Sequence, residues 1–162
     1  MSHAVYELAT LTLRLGTTAA AATAVEAWSR DPQAAGTLLG CWFSDIGALN
    51  ELVVLRGFAS EAEMSRERRR TLLAADPFGC ADFLTRLDLA GYAPFPWMAP
   101  VELGSFGPVY EIRSYELRTG GLQPTLAAWE KALPERTRIS PCTIAMYARE
   151  GTPRITHIWP AA

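Results

Sequence analysis

The chain repeats itself. Val5-Tyr6-Glu7-Leu8-Ala9-Thr10-Leu11-Thr12-Leu13-Arg14-Leu15-Gly16 returns as Val109-Tyr110-Glu111-Ile112-Arg113-Ser114-Tyr115-Glu116-Leu117-Arg118-Thr119-Gly120, with Val, Tyr, Glu, Leu, Arg and Gly at the same offsets. Each copy alternates branched or aromatic residues with others and ends on glycine, the pattern of a strand running into a turn. Two copies of a strand that opens a structural unit predict two related units. We place them at residues 1–104 and 105–162.

After Gly16, Thr17 or Thr18 is positioned to cap a helix through the alanine-rich run to about Arg30, with Val25 and Trp28 on one face. Leu38-Leu39-Gly40-Cys41-Trp42-Phe43 reads as a buried strand, and Glu51–Phe58 as a third strand paired with it. Ser60-Glu61-Ala62-Glu63 is a capping box for a helix reaching about Ala75. Its arginines, Arg66 and Arg68–Arg70, interleave with Glu61, Glu63 and Glu67, which predicts a solvated, salt-bridged face rather than a nucleic-acid contact. Cys80, Phe83, Leu84 and Leu87 fall at i, i+3, i+4 and i+7, the spacing of a short amphipathic helix. The proline-rich stretch 92–103 predicts an edge strand, a linker, or an edge strand that becomes a linker. In the second unit the spacing predicts a strand at 109–117, a helix from Gln123-Pro124 to about Leu133, and strands near 142–149 and 154–159. The expected fold is α+β, in tandem ferredoxin-like units: βαββαβ, then a truncated βαββ lacking the last helix and strand.

With a net charge of −2 and a pI near 5.7, the chain has no sequence-wide attraction to nucleic acid or anionic membrane. No apolar run follows a basic start and none reaches membrane-span length, so a cytoplasmic protein without nucleic-acid or membrane partners is expected. Cys41, Cys80 and Cys142 lack metal-ligand spacing, and a disulfide framework is not expected. His3, near the terminus, is too far in sequence from His157 to suggest a metal pair, so no metal site and no cofactor are predicted.

Candidate chemistry centres on the second copy of the repeat. Glu111, Arg113 and Tyr115 share one face of their strand, and the apolar Ile112 face is expected to meet the helices. Arg113 suits holding a carboxylate or enolate, Glu111 suits orienting it, and Tyr115 suits proton transfer. His157, on the last strand with Ile155 and Trp159, suits a general base near neutral pH. Trp42 and Trp159, with Trp97 and Trp129, are candidates for walls of a small-molecule pocket. Beside each stands a plainer reading: a cross-strand ion pair, a satisfied core histidine, core tryptophans.

With these segments in view, the chain resembles the NIPSNAP family. The resemblance rests on Val5-Tyr6-Glu7-Leu8 with Thr10, on Leu39–Asn50, on Arg66–Arg70 running into Leu72-Leu73-Ala74-Ala75-Asp76-Pro77, and on Phe83-Leu84. In the second unit it rests on Val109–Arg118 and His157-Ile158-Trp159. The first unit departs from the family pattern, with Val54 and Arg56 in place of His and Trp, and Ala9 and Leu11 in place of Arg and Tyr. The resemblance implies the dimeric α/β-barrel class, whose members include cofactor-independent oxygenases, isomerases and cyclases and some haem proteins. It therefore implies a small organic ligand. A homodimer is expected because the truncated unit leaves a sheet edge uncovered. The alternative is a non-catalytic ligand-binding or assembly module.

Overall fold

A computed structural model of the chain describes residues 2–161. Its contacts divide into two compact units, His3–Ala90 and Gly91–Ala161, the latter joined by Ser2. The fold is mixed α+β, with antiparallel strand pairs throughout the described ladders. Among the described residues no helix is long and apolar enough to cross a membrane.

The N-terminal unit runs β1 (Val5–Leu13), α1 (Thr18–Arg30), β2 (Thr37–Phe43), β3 (Glu51–Phe58), α2 (Glu61–Leu73) and the first part of β4 (Leu84–Pro94). Within it the strands lie in the order β2-β3-β1-β4. One face of β1 and β3 carries Ala9, Leu11, Leu13, Leu52 and Val54, all buried, and Ala21 and Val25 of α1 pack on them. Thr17 is the residue before α1, but its hydroxyl donates to the Arg14 carbonyl instead of capping the helix.

The capping box at α2 forms. The Ser60 Oγ accepts the Glu63 N–H at 3.1 Å, and Glu63 Oε2 accepts the Ala59 N–H at 2.8 Å. Glu63 Oε1 also accepts the Gly36 N–H at 3.3 Å, tying the entry to β2 to the helix start. Ser60→Ala is expected to lower unfolding free energy by ~1 kcal/mol in urea titration, the usual worth of such a cap.

The α2 charges are not all solvated, which corrects the sequence expectation. Glu67 is fully buried and faces Arg56 of β3, also buried. Arg56 donates to Glu67 Oε1 at 2.7 Å and to Glu7 Oε1 at 2.5 Å, while Arg68 and Arg70 close the outer sides of the two carboxylates. The Arg56 guanidinium also lies 4.8 Å from the centroid of the Phe78 ring. Register explains the network: Glu7 sits opposite Arg56 in the β1·β3 ladder, on the face that α2 covers. Arg56 is thus a cation of the core.

One further expectation changes. The short helix over Cys80–Leu87 is instead a 3-10 turn, Pro77–Gly79, followed by β4. The three-and-four spacing comes from Cys80 and Phe83, which lie between turn and strand and pack against the α1 core with Leu84, Leu87 and Leu89. His3 is not loose: Nε2 lies 3.2 Å from Thr37 Oγ1, and its ring packs where a Cβ on Gly57 would stand. The Ala4 N–H to Phe58 carbonyl bond pins that end of the chain.

The C-terminal unit runs from the last part of β4 through β5 (Val109–Glu116), α3 (Leu122–Ile139), β6 (Ile144–Ala148) and β7 (Arg154–Ala161). Its strand order is β4-β6-β7-β5, so β5 is an edge strand. The change from one unit to the next falls inside β4. Helix α3 continues past the expected end through Pro134 to Ile139. Pro134 is solvent-exposed, so the bond it removes is lost on the water side, where the Glu130 carbonyl can be hydrated.

Candidate functional site

The β5·β7 ladder runs without a shift from Val109↔Ala161 to Glu116↔Arg154 and sets Arg113 directly opposite His157. Glu111 is opposite Trp159 and Tyr115 opposite Ile155, so all six side chains share one face. Register, unreadable in the sequence, thus brings Arg113 and His157 together.

Helix α3 covers that face, which overturns the expectation that the Ile112 side meets the helices. Trp129 of α3 lies over His157, with ring centroids 4.8 Å apart, and 6.3 Å from Trp159. On the opposite face are Ile112, Ile158 and Ile144, with Ser114 Oγ 2.7 Å from Thr156 Oγ1. The misassignment has a physical cause. An edge strand is wet on both faces, so polar residues on β5 did not mark its solvent side.

His157 is buried and tightly held. The Trp159 indole N–H donates to its Nδ1 at 2.7 Å. An indole nitrogen only donates, so Nδ1 is the unprotonated nitrogen and the neutral ring carries its proton on Nε2. The Tyr115 ring flanks the imidazole with centroids 5.5 Å apart. Burial, and then the positive charges of Arg113 and Arg136 against the opposing Glu111, push the His157 pKa down to about 4. The imidazole is therefore neutral at physiological pH and offers Nε2–H as a donor, which revises the general-base role expected of it.

Arg113 is half-exposed and paired to Glu111 at 2.5 Å. The Tyr115 hydroxyl, and then the Glu111 carboxylate, raise its pKa further, so its charge is permanent. Arg136 of α3 lies over Trp159, 5.3 Å from the ring centroid. Beyond Trp129 the aromatic contacts continue to Phe95 (5.6 Å) and from there to Trp97 (5.6 Å). Trp42 belongs to β2 of the N-terminal unit, where its ring covers Gly40 so closely that any Cβ there would collide with it. Trp129 and Arg136 were the residues sequence reasoning underused; their spacing on α3, at i and i+7, was the available signal.

The three cysteines are free thiols. Burial pushes the thiol of Cys80 up to about 11 and that of Cys142 to about 12, while Cys41 lies exposed on β2. Among the described residues, no three His, Cys, Asp or Glu side chains are grouped to hold a metal ion.

The profile of the NIPSNAP family matches residues 6–88 and 110–162, which run from Tyr6 of β1 through the first part of β4, and then from Tyr110 of β5 through β7. The chain belongs to the NIPSNAP family. No curated protein matches it. Among solved structures, a NIPSNAP-like domain protein from Burkholderia xenovorans is 23% identical, with a TM-score of 0.50 over 64% of this chain and 95% of its own. A candidate monooxygenase from Lactobacillus acidophilus aligns over 98% of this chain and 77% of its own, with a TM-score of 0.64 at 11% identity. Another from Fusobacterium nucleatum gives a TM-score of 0.63 at 8% identity, covering 98% and 76%. At such identities the likeness is one of fold.

Proposed function

We propose that this NIPSNAP protein binds a small organic ligand at the Arg113–His157 pair and acts on it as a cofactor-independent enzyme of bacterial specialised metabolism. The chemistry would be of isomerase, cyclase or oxygenase type. The observation that carries the reading is the direct opposition of Arg113 and His157 beside Tyr115, under the Trp129 ring. A permanent cation next to a neutral imidazole N–H suits an oxygen that gains negative charge as a substrate enolises. Arg113 holds the anion and His157 Nε2–H donates to it. Tyr115 exchanges the proton, and Glu111 keeps Arg113 aimed. Trp159 is a positioning residue, fixing the His157 tautomer, and Trp129 supplies an apolar ceiling.

We further read the two units as copies of one ferredoxin-like plan, of the kind that builds dimeric α/β-barrels. In support, Glu7 faces Arg56 as Glu111 faces Trp159, and both copies of the repeat run into a positive-φ glycine, Gly16 and Gly120. The position opposite Ala9 in the first copy is Val54, where the second copy has the Arg113–His157 pair.

The test is native mass spectrometry after incubation with a bacterial lysate, run in parallel on wild type, Arg113→Ala and Tyr115→Phe. Wild type is expected to retain a small-molecule adduct, and Arg113→Ala to lose at least ~90% of it, in line with loss of a charge-assisted contact. The melting temperature should move by less than about 2 °C, because both side chains are at the surface. Equal retention by Arg113→Ala rejects the site. A non-catalytic binding or assembly role is the second reading, favoured by the half-exposure of the Glu111–Arg113 pair. It predicts that the bound molecule leaves with its mass unchanged.

A further inference from the structure

Strand β5 has β7 on one side and, among the described residues, no strand on the other. Its outer edge is a row of backbone donors and acceptors left to water, a template for another strand unless something blunts it. Two common blunting devices, proline and a bulge, are missing. β5 contains no proline, and its ladder with β7 has no bulge. Val109, its first residue, and Tyr115, its last but one, are 54% and 48% exposed. Its inner charges are one of each sign, Glu111 and Arg113.

That charge order favours a second copy of the same strand. Two β5 strands related by a two-fold axis perpendicular to the sheet run antiparallel, and facing residues must lie on the same side of the sheet. The axis must then pass through a residue, and each choice of residue is a different register. Centred on Glu111 it sets Glu111 against the partner's Glu111; centred on Arg113 it sets Arg113 against the partner's Arg113. Like charges directly opposite are destabilising. Centred on Ile112, Glu111 meets the partner's Arg113, Arg113 meets the partner's Glu111, and Val109 meets the partner's Tyr115.

We propose that the chain forms a two-fold dimer by antiparallel pairing of β5 with the partner's β5, in the register centred on Ile112. The two intrachain Glu111–Arg113 pairs then merge into four charges of alternating sign on one face. Ile112 lies against the partner's Ile112 on the other. On the reading given above, the dimer also completes the ligand site, bringing the partner's Glu111 beside Arg113 and the partner's Val109 beside Tyr115.

Native mass spectrometry and sedimentation velocity test this without any ligand, so the result is independent of whether the site is catalytic. Wild type is expected to be dimeric, while E111R and R113E should each be monomeric, because each sets like charges opposite. Mixing E111R with R113E should restore a heterodimer, and the double swap E111R/R113E should restore a homodimer. Both side chains are about half-exposed, and melting curves will confirm folded variants; if one single variant fails to fold, the double swap still reports the register. A monomeric wild type overturns the proposal. So do dimers that persist in both single variants, or a mixture and a double swap that both stay monomeric.

Discussion

Arg56→Met is expected to cost ~3 kcal/mol of unfolding free energy, as for other buried pairs broken from one side. The guanidinium it removes stands between Glu7 and Glu67, both essentially without solvent contact. Methionine fills the volume, so the loss reports charge rather than a cavity. Each carboxylate keeps one cation, Arg68 at 3.3 Å from Glu7 and Arg70 at 2.8 Å from Glu67, which sets the effect at the lower end of what such breaks cost. Burial pushes the Glu67 pKa up, but hydrogen bonds from Arg70 and the Ala35 N–H, with the charges of Arg56 and Arg70, outweigh it and hold it below the ordinary 4.5. A carboxylate with a lowered folded pKa stabilises the fold above its unfolded pKa and loses that contribution as pH falls through the folded value. The gap between wild type and R56M should therefore narrow on acidification below about pH 4. Urea denaturation at pH 7 and pH 3.5 measures both. A loss under ~1 kcal/mol at pH 7 would mean that the buried cation is replaceable.

The second large effect is in acid, at His157. A histidine whose folded pKa is depressed binds fewer protons folded than unfolded, so its contribution to stability is complete above the unfolded pKa. That contribution is lost as pH falls from there to the folded pKa. With values of 6.5 and about 4, the window is pH 6.5 to 4. The full loss is on the order of 3 kcal/mol. Wild type should lose that much more stability than His157→Gln between those pH values. Glutamine keeps an acceptor for the Trp159 N–H but has no proton to take up. Parallel pH profiles for the two proteins would show that the imidazole is not desolvated as the structure has it.

Much of the fold could be read from the chain because its signals were local. β1 and β5 announced themselves by alternation and by their glycine turns, and α2 by Ser60 and Glu63. The failures came where a distant partner decided the outcome. Cys80, Phe83, Leu84 and Leu87 have helical spacing, yet ladders with strands far away in sequence make Leu84–Pro94 a strand. Glu67 looked like one more surface carboxylate until register put Arg56 beneath it. In the candidate site, the sequence offers Arg113, Tyr115 and His157 as residue types. Their opposition, the covering by Trp129 and the tautomer set by Trp159 depend on pairing and packing that no single segment encodes.

Glu7, Ala9 and Leu11 are sealed in the core, while Glu111, Arg113 and Tyr115, at the same offsets in the second copy, are exposed or half-exposed. The two stretches therefore differ in how much substitution they should tolerate. A library randomised at 111, 113 and 115 should stay mostly folded, whereas one randomised at 7, 9 and 11 should be mostly insoluble.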